Sequence, residues 1–422
     1  MATAKTRAKT KSKSKPARRA PARTGFGPLD GLRVLDAGTM IAGPLAATHM
    51  ADFGADVIKI EQPGIGDPMR HWAPMKEQRS LWWKVIGRNK RLITLALNKR
   101  EGQAIFRRLA ATADIVIENY RPGTFEKWGL GYAALAKLNP KIVLLRMSGF
   151  GQTGPYAQRG GYGTIAECFS GVPSFTGFPD KPPTLPGFPL ADSIAATFGA
   201  MAAMMALHER GRNRAGRGQE IDVSLYEPLF RLAEAQVIGY DQLGIVKQRQ
   251  GNRLAEDSPR NTYATKDGRW IGISASSQKT FERLAATIGK PEMISDPRFA
   301  SNEKRCHHAD YLDGLVADWF RQHDGDQVMA IFDKADVVAG PVYDIRDIVK
   351  DPHYAARNNI VSVPDEDFGQ VRMQGVAPRL LRTPGKVRFA GRGIGTHNAQ
   401  VYKRELGLSA AEIKRLAAAK VI

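Results

Sequence analysis

The feature that most constrains this chain is an alternation running from residue 32 to residue 147. Short apolar runs, Leu32–Leu35, Asp56–Ile60, Arg91–Leu97, Asp114–Ile117 and Val143–Met147, are separated by segments that suit helices. Between the first two lie a turn, Ala37–Pro44, and a helical stretch, Leu45–Phe53, that ends at Gly54. Arg100–Ala113 is a helical stretch between the third and fourth. Short strands flanking a helix argue for βαβ units and a parallel sheet. The pattern predicts an α/β fold, and such sheets bind ligands in the loops at strand C-termini.

A dinucleotide site is the first ligand to weigh, because Glu61 falls at the end of the second strand, where a ribose ligand would sit. The first turn is not G-x-G-x-x-G, and Gly38 and Gly43 are spaced wrongly for a pyrophosphate turn. The chain also has no P-loop motif and no G-x-S-x-G nucleophile elbow. Cys306-His307-His308 with Asp310 suggests metal chemistry, but adjacent helical residues point apart and no second ligand pair sits at zinc spacing.

A length of 422 residues exceeds one typical domain and predicts two. Composition changes after Pro228: residues 228–245 look helical, Asp267-Gly268 marks a hairpin, and helical stretches follow to about Lys334. These features predict a second, smaller domain. Ser409 with Glu412 makes a capping box in the C-terminal segment. No run of 18 apolar residues is present, so no membrane span is expected. Cys168 and Cys306 are the only cysteines, which argues against a disulfide scaffold and fits a reducing, cytoplasmic setting.

The net charge is +20, but nine of the basic side chains fall within residues 1–25, which contain no acid. This segment, rich in Ala, Thr, Lys, Ser and Pro, is expected to be a disordered, solvated tail. It lacks the apolar core of a secretory signal. A specific nucleic-acid partner is not expected, because the tail explains nothing about residues 27–422. The remaining excess of +11 suits an anionic ligand without choosing among CoA, nucleotides and nucleic acid.

One carboxylate stands out. Asp192 lies between a Pro-rich approach (Pro182, Pro183, Pro186, Pro189) and an Ala/Met-rich run, Ser193–Glu209, that reads as a helix. Asp192 is therefore expected at or just before the helix start, where free N–H groups and the dipole favour an ionised carboxylate. That is the state a carboxylate nucleophile needs. Local sequence alone favours a plain N-cap role.

Further segments, taken together with these, form one pattern. Gly31-Leu32-Arg33-Val34-Leu35-Asp36 leads to Ala42-Gly43-Pro44, then to Ala51–Glu61, Gly66-Asp67 and Asn89-Lys90-Arg91. Ser148–Gly151, Ala191-Asp192, Gly216–Gln219, Asp267-Gly268, Asp296–Phe299, Ala339-Gly340-Pro341 and Asp351-Pro352 follow in order. In this order and spacing the chain resembles the class III CoA-transferase family (CaiB/BaiF type), which includes formyl-CoA and carnitine CoA-transferases.

The resemblance implies a Rossmann-like large domain formed by both chain ends, a smaller middle domain and two interlocked chains. On this chain the divisions are a tail at 1–26, a large CoA-binding domain at 27–227, a small domain at 228–336, and a return to the large domain with C-terminal helices at 337–422. It implies that Asp192 is the nucleophile of an acyl-CoA:carboxylate CoA-transferase working through an aspartyl-CoA thioester. It places Ile41, Ala42, Leu95 to Asn98, Asn119, Tyr120, Arg121 and Lys127 at the CoA site, with Arg121 and Lys127 serving phosphates. No permanently bound cofactor, metal or membrane is implied. Coenzyme A enters as a substrate, a carboxylic acid is the acceptor, and the protein is a homodimer.

Two departures narrow the activity. Some relatives carry Gln where Ile41 stands, and no Gly-rich flap is evident between Gln248 and Asn261, which argues against formyl or oxalyl specificity. The plentiful Arg and Lys residues make a dicarboxylate such as succinate plausible, with succinyl-CoA as donor. The alternative is a 2-methylacyl-CoA racemase of the same fold. Those enzymes carry Gly-His-Asp where this chain has Gly161-Tyr162-Gly163, and Tyr, with an ordinary pKa of about 10, is a poor substitute for a His base.

Overall fold

The computed structural model describes residues 23–422. The basic tail expected over residues 1–26 lies outside the described residues up to residue 22. Its last residues are tied down: the Thr24 N–H donates to Asp30 Oδ1 at 2.6 Å, and its hydroxyl donates to the Gly54 carbonyl at 2.6 Å. The ordered chain therefore begins before residue 27.

Contacts divide the chain into two compact units. The first contains the described residues up to Gln158 together with Ala196–Val223 and Ser362–Ile422, and the second contains Arg159–Ala195 and Ser224–Val361.

The first unit is built on a six-stranded sheet. Its strands in chain order are Arg33–Asp36, Asp56–Glu61, Arg91–Thr94, Ile115–Glu118, Val143–Ser148 and Glu220–Ser224. Numbered that way, their spatial order is 3-2-1-4-5-6, the Rossmann order. Strand 1 pairs in parallel with strands 2 and 4, strand 2 with strand 3, and strand 4 with strand 5. Every residue of strands 1, 2, 4 and 5 is buried, as a parallel sheet covered on both faces requires. The helix after strand 1 runs Ala42–Asp52, three residues earlier than the Leu45 start expected from the sequence, because Pro44 suits the first helical turn. Gly54, with φ of 98°, follows that helix as expected.

The C-terminal segment packs on the same sheet. Tyr402, Val421 and Ile422 join the core of strands 1 to 5, and the Ala96 N–H donates to the Val421 carbonyl at 2.8 Å. The final helix, Ala410–Ala418, carries the expected Ser409–Glu412 capping box.

The second unit has a three-stranded antiparallel sheet of Arg260–Ala264, Trp270–Ser274 and Ala339–Pro341, with Trp270–Ser274 in the centre. The first two strands form the hairpin expected around Asp267-Gly268. Helices Gln278–Thr287, Ala309–Phe320 and Gly325–Ala335 bury Phe281, Phe320 and Phe332 against that sheet. Arg305 is wholly buried. Its guanidinium donates to the carbonyls of Ser258 (2.9 Å), Phe299 (3.0 Å) and Ser276 and to Gln278 Oε1 (2.8 Å). Residues 159–195 cluster here through contacts such as the edge-on packing of Phe169 on Tyr226 and the bridge between Gly177 and Gly251.

The helix Leu190–Arg212 belongs to both units. Among the described residues it is the one helix long and apolar enough, by length and composition, to cross a membrane, with a mean hydropathy of 1.5 and a third of that stretch buried. Its Ala and Met content produces this value. Ala195, Ala196, Ala203 and Ala206 are buried, and Gly199 lies against Leu145 and Met147 of strand 5.

Candidate active site

Asp192 sits in the first turn of its helix rather than at the cap. The difference comes from Pro189, whose carbonyl accepts both the N–H (3.0 Å) and the hydroxyl (2.8 Å) of Ser193. That bond closes the first turn and draws Leu190–Asp192 into the helix. The carboxylate stays at the positive end of the dipole, among N–H groups that have no partner within the helix. Asp192 is partly buried.

The helix Gly163–Phe169 flanks this turn. Glu167 is buried, and its Oε1 accepts the Ala191 N–H at 3.2 Å. Gly163 lies against Asp192 itself. A Cβ on Gly163 would fall inside the envelope of Asp192 Oδ2 and 3.3 Å from its Cγ. Tyr162, at the racemase His position, is 75% exposed.

The residues expected at the CoA site all lie in the first unit. Strands 1 and 4 are neighbours at the point where the strand order reverses, and ligands of such sheets bind outside the carboxyl ends there. Ile41 and Ala42 follow strand 1, and Asn119, Tyr120 and Arg121 follow strand 4. The two loops are joined. Asn119 Oδ1 accepts the Thr39 N–H at 2.7 Å, and its Nδ2 donates to the Thr39 carbonyl at 2.7 Å. Met40 adopts φ of 64°, uncommon for a non-glycine residue, and its N–H donates to Asp67 Oδ1 at 3.2 Å. The helix that starts at Ala42 has no side-chain cap and no acid in its first turn.

The side chains of Ile41, Ala42 and Leu95 are buried, whereas Asn98, Arg121 and Lys127 are exposed. Tyr120 packs edge-on to Trp128 and stacks on Phe125. Burial pushes its phenol up to about 12.

Beneath the first loop lies a charge network to which sequence reasoning assigned no role. Lys59 Nζ is 3.0 Å from Asp67 and 3.8 Å from Asp36, and donates to the Gly38 carbonyl. Lys90 Nζ reaches Asp36 at 2.8 Å and the Pro44 carbonyl at 2.6 Å. All four side chains are buried. The signal available in the sequence was a charge inside an apolar strand, Lys59 within Asp56–Ile60, since such charges are seldom buried without partners. A second network surrounds Arg146, which bonds Glu118 (2.7 Å), Glu126 (2.7 Å) and Glu220 (3.0 Å). Burial raises the Glu118 carboxyl to about 7, against the opposing pull of Arg146.

Comparison with known proteins gives one answer. The family model described as CoA-transferase family III matches residues 29–398. The chain is 45% identical to succinyl-CoA–D-citramalate CoA-transferase of Chloroflexus aurantiacus, over 94% of this chain and 98% of the relative. It is 40% identical to the succinyl-CoA–L-malate CoA-transferase alpha subunit of the same organism, over 94% of this chain and 92% of that one. A solved structure of a CaiB/BaiF family protein from Brucella suis superposes with a TM-score of 0.80 at 31% identity, covering 90% of this chain and 100% of the other. The chain therefore belongs to CoA-transferase family III and is a CoA-transferase.

Proposed function

We propose that this enzyme moves CoA from succinyl-CoA to a second dicarboxylic acid, one bearing a hydroxyl group, through a thioester on Asp192. The observation that carries the substrate class is the pair of relatives named for succinyl-CoA with D-citramalate or L-malate, matched across nearly all of this chain.

In the mechanism we infer, an Asp192 carboxylate oxygen attacks the thioester carbonyl of succinyl-CoA. The C–S bond breaks, giving a mixed anhydride and CoA thiolate. The thiolate attacks the aspartyl carbonyl and expels succinate, which leaves an aspartyl-CoA thioester. The acceptor carboxylate attacks that thioester, the C–S bond breaks, and a second anhydride forms with release of CoA thiolate. CoA thiolate then attacks the acceptor carbonyl, releasing the new acyl-CoA and free Asp192. Each step exchanges an acyl bond for another, so no ATP is required. Backbone N–H groups of the Gly-rich stretch between Ser148 and Gly163 stabilise the oxyanions. CoA lies over the Ile41-Ala42 turn, Leu95–Asn98 and Asn119–Arg121, with Arg121 and Lys127 on its phosphates.

We further infer a large domain built from both chain ends, a smaller middle domain and an interlocked homodimer. In support of a second copy, the helix Gln236–Leu243 has no buried residue and exposes Val237, Ile238, Tyr240 and Leu243.

The test is intact and peptide mass spectrometry after incubation with a panel of acyl-CoAs in the absence of acceptor. A CoA-sized, hydroxylamine-labile adduct on the Asp192 peptide is expected with succinyl-CoA. An Asp192→Ala protein that turns over at the wild-type rate refutes the nucleophile. No adduct with any donor, together with deuterium wash-in at the α-carbon of a 2-methylacyl-CoA, points to the racemase instead. Light scattering that reports a monomer refutes the dimer.

A further inference from the structure

The helix Gly163–Phe169 presents Gly163 and Glu167, four residues apart and so on one face, to the turn that carries Asp192. The two contacts differ in kind. Glu167 holds the main chain, because its buried Oε1 accepts the N–H of Ala191, the residue before Asp192. Gly163 gives the side chain its space. The φ of Gly163 is not in the left-handed region, so backbone conformation does not require a glycine there. What requires it is Asp192, whose Oδ2 occupies the volume that a Cβ would take.

We propose that Gly163 and Glu167 are positioning residues for the CoA-transfer reaction: together they seat the Asp192 carboxylate in its attacking orientation. This rests on the reading of Asp192 as the nucleophile. The atom that a Gly163 methyl would meet is the end of a side chain with rotational freedom, so the methyl displaces the carboxylate and leaves the backbone in place. Glu167 acts through an oxygen that accepts a hydrogen bond, a role an amide oxygen fills as well.

Four full-length variants test this: Gly163→Ala, Glu167→Gln, Glu167→Leu and Asp192→Asn. Each is measured for kcat, KM for succinyl-CoA, rate of adduct formation on the Asp192 peptide, and melting temperature. Gly163→Ala is expected to lower kcat and the adduct rate about a hundredfold, since a shift of about 1 Å in a reacting group costs that much, with KM and melting unchanged. Glu167→Gln is expected to stay close to wild type, and Glu167→Leu to lose kcat about tenfold through the unpaired Ala191 N–H. A merely structural role would lower melting and leave the kcat of the folded fraction intact, which overturns the proposal. Wild-type kcat in Gly163→Ala beside an inactive Asp192→Asn overturns the proposal and leaves the nucleophile standing. Glu167→Gln as damaged as Glu167→Leu overturns it too, by showing that charge is what Glu167 supplies. These two variants decide the matter even if Gly163→Ala does not fold. Wild-type turnover in Asp192→Asn, by contrast, removes the nucleophile reading itself.

Discussion

Leu92 and His397 are joined twice across more than three hundred residues of sequence. The Leu92 N–H donates to the imidazole Nδ1 at 3.0 Å, and the His397 N–H donates to the Leu92 carbonyl at 2.9 Å. Asn398 extends the contact by accepting the Thr94 N–H at 2.9 Å. The third strand of the sheet is thus bound to a segment from the far end of the chain through a nitrogen that must stay unprotonated.

This makes the fold acid-sensitive in a defined window. Burial, then the nearby charges Arg392 and Arg91, holds the His397 imidazole down to about 4. Burial, then Arg88 and Lys90, does the same for His49, also to about 4. The unfolded chain protonates both near 6.5, so between pH 6.5 and 4 it binds more protons than the folded one. Stability is full above pH 6.5 and falls as pH drops through that window, by up to about 1.4 kcal/mol per pH unit for each histidine. Urea unfolding at pH 7.5, 6, 5 and 4.5 measures the slope, and His49→Gln is expected to flatten it.

Replacing Asn119 by Ala frees the Thr39 peptide and unties the two loops at the strand-order reversal. About a tenfold rise in KM for acyl-CoA is expected, equivalent to about 1.4 kcal/mol, with kcat changed far less. Steady-state kinetics at saturating acceptor checks it. An unchanged KM would mean that the Thr39–Met40 turn does not shape the CoA site.

Lys59→Met leaves Asp36 and Asp67 facing each other with Lys90 as the remaining cation of the cluster. Because both carboxylates are buried, a loss of about 3–5 kcal/mol is expected, and chemical denaturation reads it directly. The Gly38 carbonyl also loses its donor, so the surviving folded protein is expected to show weakened CoA binding.

Arg305→Lys keeps the charge but cannot span carbonyls at Ser258, Ser276 and Phe299 at once. Loss of two or more charge-assisted bonds in a buried site is expected to cost about 3 kcal/mol, seen as a lower melting temperature.

Strand positions were legible because a strand's signal is local. Three or four consecutive Val, Ile or Leu residues mark Ile115–Glu118 or Val143–Ser148 whatever surrounds them. The Ser409 cap and the Asp267-Gly268 hairpin are equally local. The short hairpin of Met75–Lys76 with Arg79–Ser80, and the helix Leu81–Ile86 after it, were not legible, because their segments lack sustained periodicity.

The sequence by itself determined that this chain makes an α/β sheet, that its loops at strand ends are the places to look, and that Asp192 begins an Ala-rich helix. Those properties depend on residues within a few positions of one another. Only the tertiary structure decided that Asp192 sits inside the first turn rather than at the cap, with Gly163 leaving room for its carboxylate. It likewise decided that Asn119 is engaged by Thr39, and that Asp36, Lys59, Asp67 and Lys90 converge under one loop. Such contacts join positions 8 to 80 residues apart, and folding selects them because a buried polar group left without a partner costs more than the entropy of closing the loop between them.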